Sequence, residues 1–303
     1  MKLKSHNKAG YGVFQKGSHK GIFRSKQVIV LTSKTLNIIE DNDLVYIQFP
    51  KFQKIDFIRH TFSTRHGGVS TGDVASMNLS FNKDCDPKNV IKNFEILCGA
   101  VGIDTHNLVL SHQTHTNNVI VVDVSHKGTG ITKPSFSDVD GMITGEKNVA
   151  LVTQYADCTP LVFCDVVKRV IATSHAGWRG TVKLIGKVTV EKMVSEFGCD
   201  PKDIIVGIGP NIGKCCYEVD DPVINEFKKL DGLEIERFIF PKGNGKYMLD
   251  LTEANRQILV LAGIKKENMD ISDICTCCNC EDLHSHRATG GKRGNLALVI
   301  QMV

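Results

Sequence analysis

The sequence predicts a single α+β domain in which mixed β-sheets are flanked by helices, and three observations carry this. Short Val- and Ile-rich runs recur along the chain, and stretches with apolar residues at steps of three and four lie between them. The two kinds of segment do not alternate with the regularity of a doubly wound parallel sheet. No internal repeat or low-complexity linker divides the 303 residues, and 42% hydrophobic content suffices for one large core.

Residues 1–25 are basic, contain glycine and lack a sustained apolar period, so a flexible N-terminal segment is expected there and one catalytic domain over 26–303. Strand-like runs then follow as QVIVLTS from Gln27, LVYIQF, IRHTFSTR, LVLSHQTH and NNVIVVDV. Between them, PKNVIKNFEILCGAVGI sets Ile91, Phe94, Leu97 and Val101 on one helical stripe behind Pro87. VALVTQY, PLVFCDV and RVIATSH are three closely spaced apolar strands, too short for helices, and are the candidates for the buried centre. Beyond Gly180, Val182, Ile185, Thr189, Met193 and Phe197 predict a helix that Gly198 ends. Another is predicted from about Thr252 to Ala262, with Leu251, Ala254, Ile258 and Leu261 in phase.

The formal charge is +4, from 37 Lys and Arg against 33 Asp and Glu, with much of the excess before residue 55. That balance is too weak to argue for nucleic acid. No apolar run approaches the roughly 20 residues a membrane span needs. Eleven cysteines, an odd count in a long chain without an apolar leader, suit reduced thiols in a cytoplasm better than a disulfide framework. A cytoplasmic protein is therefore expected, a monomer or weak homodimer without nucleic-acid or membrane partners.

Three polar residues interrupt or end the apolar strands: His115 in HQTHTNNV, Cys158 in QYADCTPLVF and His175 in ATSHAGWRG. Two imidazoles and a thiolate are good zinc ligands, and three protein ligands leave a fourth position for water or substrate. Each could equally be an isolated buried polar group. A further alternative makes Cys158 a nucleophile, one histidine its base, and Asp157 or the other histidine an orienting group. His112, three residues before His115, is the nearest candidate for a fourth ligand that would close the site.

Groups suited to anions surround the trio. TRHGGVS offers Arg65 beside a Gly-Gly turn, and GWRGT places Arg179 before a helix. GIGPNIGKCCYEV matches neither common phosphate-loop pattern and reads as a tight backbone turn. CTCCNC places Cys275, Cys277, Cys278 and Cys280 too close together to wrap one ion, so packed or redox-sensitive thiols are expected.

Taken together, TRHGGVS, HQTH with NNV, DVDGMIT, ADCTPLVFCD, SHAGWRGT, GIGPNIGKCCYEV, CTCCN and SHRATGGKRGNLAL follow the order and approximate spacing of the YfiH/YlmD family, also called the polyphenol-oxidase or laccase-domain family. The chain resembles that family from about residue 45 onward. The resemblance implies an α+β fold shared with toxin deamidases, of the CNF/YfiH-like cysteine-hydrolase type. It also implies a zinc on His115, Cys158 and His175, copper being the alternative metal.

Members are described as copper laccases and as enzymes combining purine nucleoside phosphorylase, adenosine deaminase and methylthioadenosine phosphorylase activities, with purine nucleosides and phosphate as partners. A cell-wall editing role is also described, which a metal-free Cys-His hydrolase or amidase would serve. A laccase needs several coppers and many histidines, whereas H-x-H occurs here once, at His284 and His286. Deamination needs an activated water and a proton shuttle, for which Asp157 is the candidate. Phosphorolysis needs guanidinium groups to hold the anion: Arg65 and Arg179 first, then Arg287 and Arg293. Thr116 stands where many members carry Gly, and SHRATGGKRG departs from the usual C-terminal form, which bears on the substrate side and leaves the trio intact. A third reading is a binding protein in which zinc only staples the fold.

Overall fold

The computed structural model describes residues 31–84 and 86–303. The segment expected to be flexible over 1–25 and the first part of QVIVLTS lie outside the described residues, and the rest of that run, 31–33, is coil. Leu31–Val303 form one compact unit.

Two six-stranded mixed sheets make its centre. The first contains β1 (Asn37–Asp41), β2 (Leu44–Gln48), β3 (Ile58–Ser63), β4 (Leu108–Leu110), β7 (Ala150–Tyr155) and β15 (Leu296–Met302), in the order β1-β2-β3-β15-β7-β4. The second contains β5 (Val119–Val121), β6 (Gly141–Thr144), β8 (Thr159–Asp165), β9 (Val170–Ala176), β10 (Ile204–Ile208) and β14 (Met269–Ile271), in the order β14-β10-β8-β9-β6-β5. Only β4–β7, β5–β6 and β10–β14 pair in parallel. A small antiparallel sheet, β11 (Glu218–Asp220), β12 (Ile239–Gly243) and β13 (Lys246–Leu249), stands apart.

The strand period of two assigns faces. On β7, Ala150 and Val152 join a core with Val90, Phe94 and Leu97 of the helix Pro87–Ala100. On β8 and β9, Leu161, Phe163, Val170 and Ala172 pack with Ile185, Val190 and Met193 of the helix Ile185–Phe197 and Leu259 of the helix Leu251–Leu261. The opposite faces of β7 and β9 meet between the sheets, so β8 and β9 are buried at every residue, as a strand covered on both sides must be.

Two helices depart from their sequence pattern for local reasons. In Pro87–Ala100 the buried stripe is Val90, Phe94, Leu97 and Cys98, whereas Ile91 is 42% exposed. Asn93 fixes this rotation: its side chain accepts from Val69 N (2.8 Å) and donates to Ser70 Oγ (3.0 Å) and Asn78 O (2.8 Å), so the polar residue takes an inward position. The helix expected after Gly180 is two helices, Trp178–Val182 and Ile185–Phe197, because Leu184 takes a left-handed conformation at φ 58°. Gly198 ends the second at φ 65°, the left-handed stop its sequence position suggests.

His60 on β3 is buried between the rings of Phe49 and Phe52, and its Nε2 accepts from Phe49 N at 2.9 Å. Burial lowers its pKa from 6.5 to about 3. Between those values the unfolded chain holds a proton that the folded chain does not, so its stability contribution is intact above pH 6.5 and is lost as pH falls toward 3. His60→Gln, which keeps an acceptor, is expected to flatten the acid dependence by about 1.4 kcal/mol per pH unit in urea unfolding below neutrality. Identical acid slopes in the two proteins would show that His60 is not neutral in the folded state.

Candidate metal centre and its cavity

His175 lies near the end of β9 on the face of Ile171 and Thr173, turned toward the other sheet, where its ring packs against Tyr155 of β7 at 5.5 Å. Cys158 sits in the short turn joining β7 to β8, directly after Asp157, which is held at φ 87°. His115 lies in the loop beyond β4 at φ 67°. Left-handed backbone at a histidine and an aspartate costs energy that the surroundings must offset. Those surroundings are specific. Gln113 bonds the backbone of Gln154 in both directions (2.9 and 2.7 Å), and the N–H groups of Thr114, His115 and Thr116 all donate to the Asp140 carboxylate (3.1, 3.0 and 2.8 Å).

These constraints bring the His115, Cys158 and His175 donor atoms within 4.8 Å of one another. Cys158 Sγ lies 3.7 Å from His115 Nε2. His175 Nδ1 is 2.8 Å from Asp140 Oδ1, which leaves Nε2 for the cluster. Gly177 gives the room: a Cβ there would fall 2.7 Å from His115 Cδ2 and 2.9 Å from Cys158 Sγ. Two imidazoles and a thiolate, oriented by a carboxylate and with backbone cleared around them, fit a metal ion. The trio that the sequence scatters over 60 residues is brought together.

The same geometry polarises the groups. Burial works against the Cys158 thiolate, but the His175 charge and a His115 hydrogen bond outweigh it and lower the pKa to about 6. Burial lowers the His175 pKa, whereas Cys158 and Asp140 raise it further, to about 9. Burial raises that of Asp140, yet the His175 hydrogen bond and charge with the Thr116 donors bring it to about 2. An ion pair is the outcome in the absence of metal.

The trio opens into a cavity of about 870 Å³, with Phe81, Phe136, Trp178 and Tyr217 among its walls. Arg179, Arg287 and Arg293 also line it. Arg179 stacks on Trp178 at 4.4 Å. Arg287 stacks on Tyr217 at 5.4 Å and donates to Cys216 O (3.1 Å) and Glu218 O (3.0 Å). Arg293 bonds Gly294 O and Asn295, and its Nε is buried without a partner.

Arg65 does not join them. Its guanidinium donates to Ala75 O (3.0 and 2.9 Å) and Cys280 O (2.8 Å), away from the residues lining the cavity. The adjacent Gly-Gly pair serves close backbone packing: a Cβ at Gly68 would fall 2.2 Å from Ser76 O. The structure thus gives TRHGGVS a packing role and does not bring Arg65 to the cavity. Asp157 lines the cavity, but its oxygens accept from Thr276 Oγ1 and Arg287 N, both at 2.6 Å, and it fastens three segments together. His112 lines the cavity but is not in the donor cluster. Sequence reasoning missed Asp140 and Gly177. The available signal for Asp140 was an acidic residue at the mouth of the apolar strand GMIT.

Residues 59–303 match the family described as multi-copper polyphenol oxidoreductase laccase. The chain belongs to this family, the YfiH/YlmD family. It is 36% identical over 243 residues to purine nucleoside phosphorylase YlmD of Bacillus subtilis, covering 80% of this chain and 87% of that protein. It is 32% identical over 252 residues to adenosine deaminase RL5 of an unknown prokaryotic organism, covering 80% and 96%. The crystal structure of Bacillus licheniformis hypothetical protein YfiH superposes with a TM-score of 0.83 at 30% identity, over 88% of this chain and 99% of that one. The α+β class read from the sequence thus holds, and no helix among the described residues is long and apolar enough to cross a membrane. Despite the laccase description, this YfiH/YlmD chain offers, among the described residues, one His-Cys-His trio and one cysteine cluster as metal-holding groups; His284 is buried apart from both.

Asp140→Asn preserves size but weakens the carboxylate support of His175. It is expected to reduce metal affinity about 10- to 100-fold in competition with a chromophoric chelator. In metal-stripped protein, site-resolved alkylation should find Cys158 reactive down to about pH 6, where an ordinary thiol is protonated. Unchanged affinity, or reactivity rising only near pH 9, would refute the arrangement.

Proposed function

We propose that this chain is a zinc-dependent purine nucleoside enzyme, a phosphorylase first and an adenosine deaminase and methylthioadenosine phosphorylase by the same site. The observation that carries this reading is the convergence of His115, Cys158 and His175 on a cavity that also presents aromatic rings and three arginines. The names of the relatives point the same way.

In this reading His115, Cys158 and His175 hold the zinc, which when bound supplies Lewis acidity and a lowered pKa for water. The mixed imidazole and thiolate set suits zinc, and three protein donors facing a cavity leave room for a reactant. Asp140 keeps His175 in the tautomer whose Nε2 faces the cluster. The aromatic walls offer a face to a purine. In phosphorolysis the bond between base and sugar breaks while a phosphate oxygen bonds to the same sugar carbon, so the anion must be held beside the sugar. Arg179 and Arg287 are the groups assigned to this, Arg287 keeping donors free beyond the two it spends on carbonyls. Arg293 lies deeper, with its unpartnered Nε, and is assigned to substrate rather than to bulk phosphate. Asp157 is a positioning residue that holds the Arg287 backbone.

A second reading has a specific observation in its favour. Asp140, His175 and Cys158 stand in the order orienting group, base and nucleophile, and the lowered Cys158 pKa is what a metal-free cysteine hydrolase or amidase requires.

Metal analysis and product analysis with adenosine and phosphate separate the two. Cys158→Ala is expected to lose about one metal ion per chain and all formation of adenine, hypoxanthine or inosine. Chelation should abolish turnover and zinc restore it. Turnover that survives metal removal and is lost on alkylation would move the assignment to the hydrolase. Arg179→Ala should raise the KM for phosphate about 10-fold or more, the equivalent of one charge-assisted hydrogen bond. A change confined to phosphate-independent deamination would refute its role.

A further inference from the structure

The CTCCNC run alone offers too tight a spacing for one metal, and the structure supplies the missing half from elsewhere. β10 and β14 are parallel neighbours, and an isolated bridge between Asn211 and Cys275 carries their pairing past the end of the sheet. The chain segments leaving the two strands therefore run side by side. One carries Cys215 and Cys216, the other Cys275 and Cys278, and the four Sγ atoms all lie within 4.8 Å of one another. Cys278 Sγ is 3.4 Å from both Cys215 Sγ and Cys216 Sγ.

We propose that Cys215, Cys216, Cys275 and Cys278 form a second metal site, closed by four thiolates, that holds one zinc ion as a structural staple. This goes beyond the reaction proposed for the cavity and does not depend on it. Three features support it. Tetrahedral thiolate coordination with zinc–sulfur bonds of about 2.3 Å requires sulfur–sulfur separations of about 3.8 Å, within the range seen here. Clusters with several irons divide their cysteines among metal atoms and need a wider set. Second, backbone N–H groups of Gly213 and Cys278 are directed at Cys275 Sγ (3.2 and 3.5 Å), donors that stabilise a thiolate. Third, Gly213 leaves the space open: a Cβ there would fall 3.1 Å from Cys275 Cβ and 3.2 Å from Cys215 Sγ. Four thiols this close make only weak contacts with each other, and as thiolates they repel, so a divalent cation is the partner that their arrangement lacks.

Four protein ligands leave no position for a reactant, which makes the site structural. Its mechanical output is close to the cavity. Cys216 O accepts from Arg287, Tyr217 lines the cavity, and Thr276, next to Cys275, donates to Asp157. The staple thus joins the two segments that carry one wall of the first site. Cys277 and Cys280, the remaining thiols of the run, lie outside the set.

The test is elemental analysis of protein purified without added metal. The wild type is expected to carry about two zinc ions per chain, Cys278→Ser and Cys158→Ala about one each, and their combination none. Cys277→Ser should keep both. If Cys278→Ser does not fold, cobalt-loaded Cys158→Ala decides the matter, because four-thiolate cobalt gives intense thiolate charge-transfer absorption with tetrahedral ligand-field bands. That spectrum is the expected result. Cys158→Ala protein that binds neither zinc nor cobalt, with its four clustered cysteines freely alkylated or found as disulfides by mass spectrometry, would overturn the proposal.

Discussion

The candidate site depends on a single buried carboxylate. Asp140 has no exposed surface, and an unpaired charge in that position would cost several kcal/mol. It is compensated by Thr114, His115 and Thr116 backbone N–H groups, the Thr116 hydroxyl and the His175 ring. Those donors belong to two different parts of the chain, the loop that carries His115 and the strand that carries His175. One charge therefore requires both to be in place at once. The order is physical: the donors stabilise the carboxylate, the carboxylate orients the imidazole, and the imidazole, with Cys158, defines where a cation is favoured.

That dependence accounts for the backbone strain beside the trio. His115 and Asp157 both sit at positive φ, which neither would adopt without compensation. For His115 the compensation is its own N–H donating to Asp140. For Asp157 it is a carboxylate anchored by Thr276 and Arg287 with a backbone carbonyl that accepts from Ile212 N at 2.9 Å. Gly177 adds a steric condition, since any side chain there would occupy the space between His115 and Cys158. Two strained residues and one obligatory glycine indicate a geometry over-determined by its surroundings, as pre-organised sites are.

What was legible in the sequence follows the same logic. Short apolar runs such as PLVFCDV and RVIATSH were readable because a strand buried on both faces leaves a continuous apolar record. His115, Cys158 and His175 stood out because polar residues interrupt or end that record, and the fold brings their donor atoms together. Asp140 left only its place before the apolar strand GMIT as a signal, because its role consists of bonds to residues more than 20 positions away. The place of Arg65 was not legible for the reverse reason: a guanidinium beside two glycines looks like an anion site locally, and only the fold shows that it donates to Ala75 O and Cys280 O. Ile91 failed because Asn93 rotates the helix to satisfy its own amide, a requirement that apolar periodicity does not record. The CTCCNC run shows no wider thiol group by its own spacing, because Cys215 and Cys216 lie about 60 residues earlier, in a segment that β10–β14 pairing brings alongside.

On the assignments proposed for the two sulfur-containing clusters, ligand number divides labour within one fold. The His-Cys-His set offers three donors and faces a cavity, so the metal proposed there would retain a coordination position for chemistry. The four-cysteine set offers four donors, so the zinc proposed there would have its full complement and would fasten the two segments that carry it. They are linked through short bonded paths, one from Cys216 O to Arg287 and one from Cys275 through Thr276 to Asp157, the neighbour of Cys158. A cavity wall built from loops rather than strands would otherwise hold its arginine with the looseness of a loop. Asp157 holds the Arg287 backbone N–H while Cys216 O and Glu218 O hold its guanidinium, which gives that group a defined place relative to the trio, and positioning to a fraction of an ångström is what the proposed transfer between an anion and a sugar carbon demands.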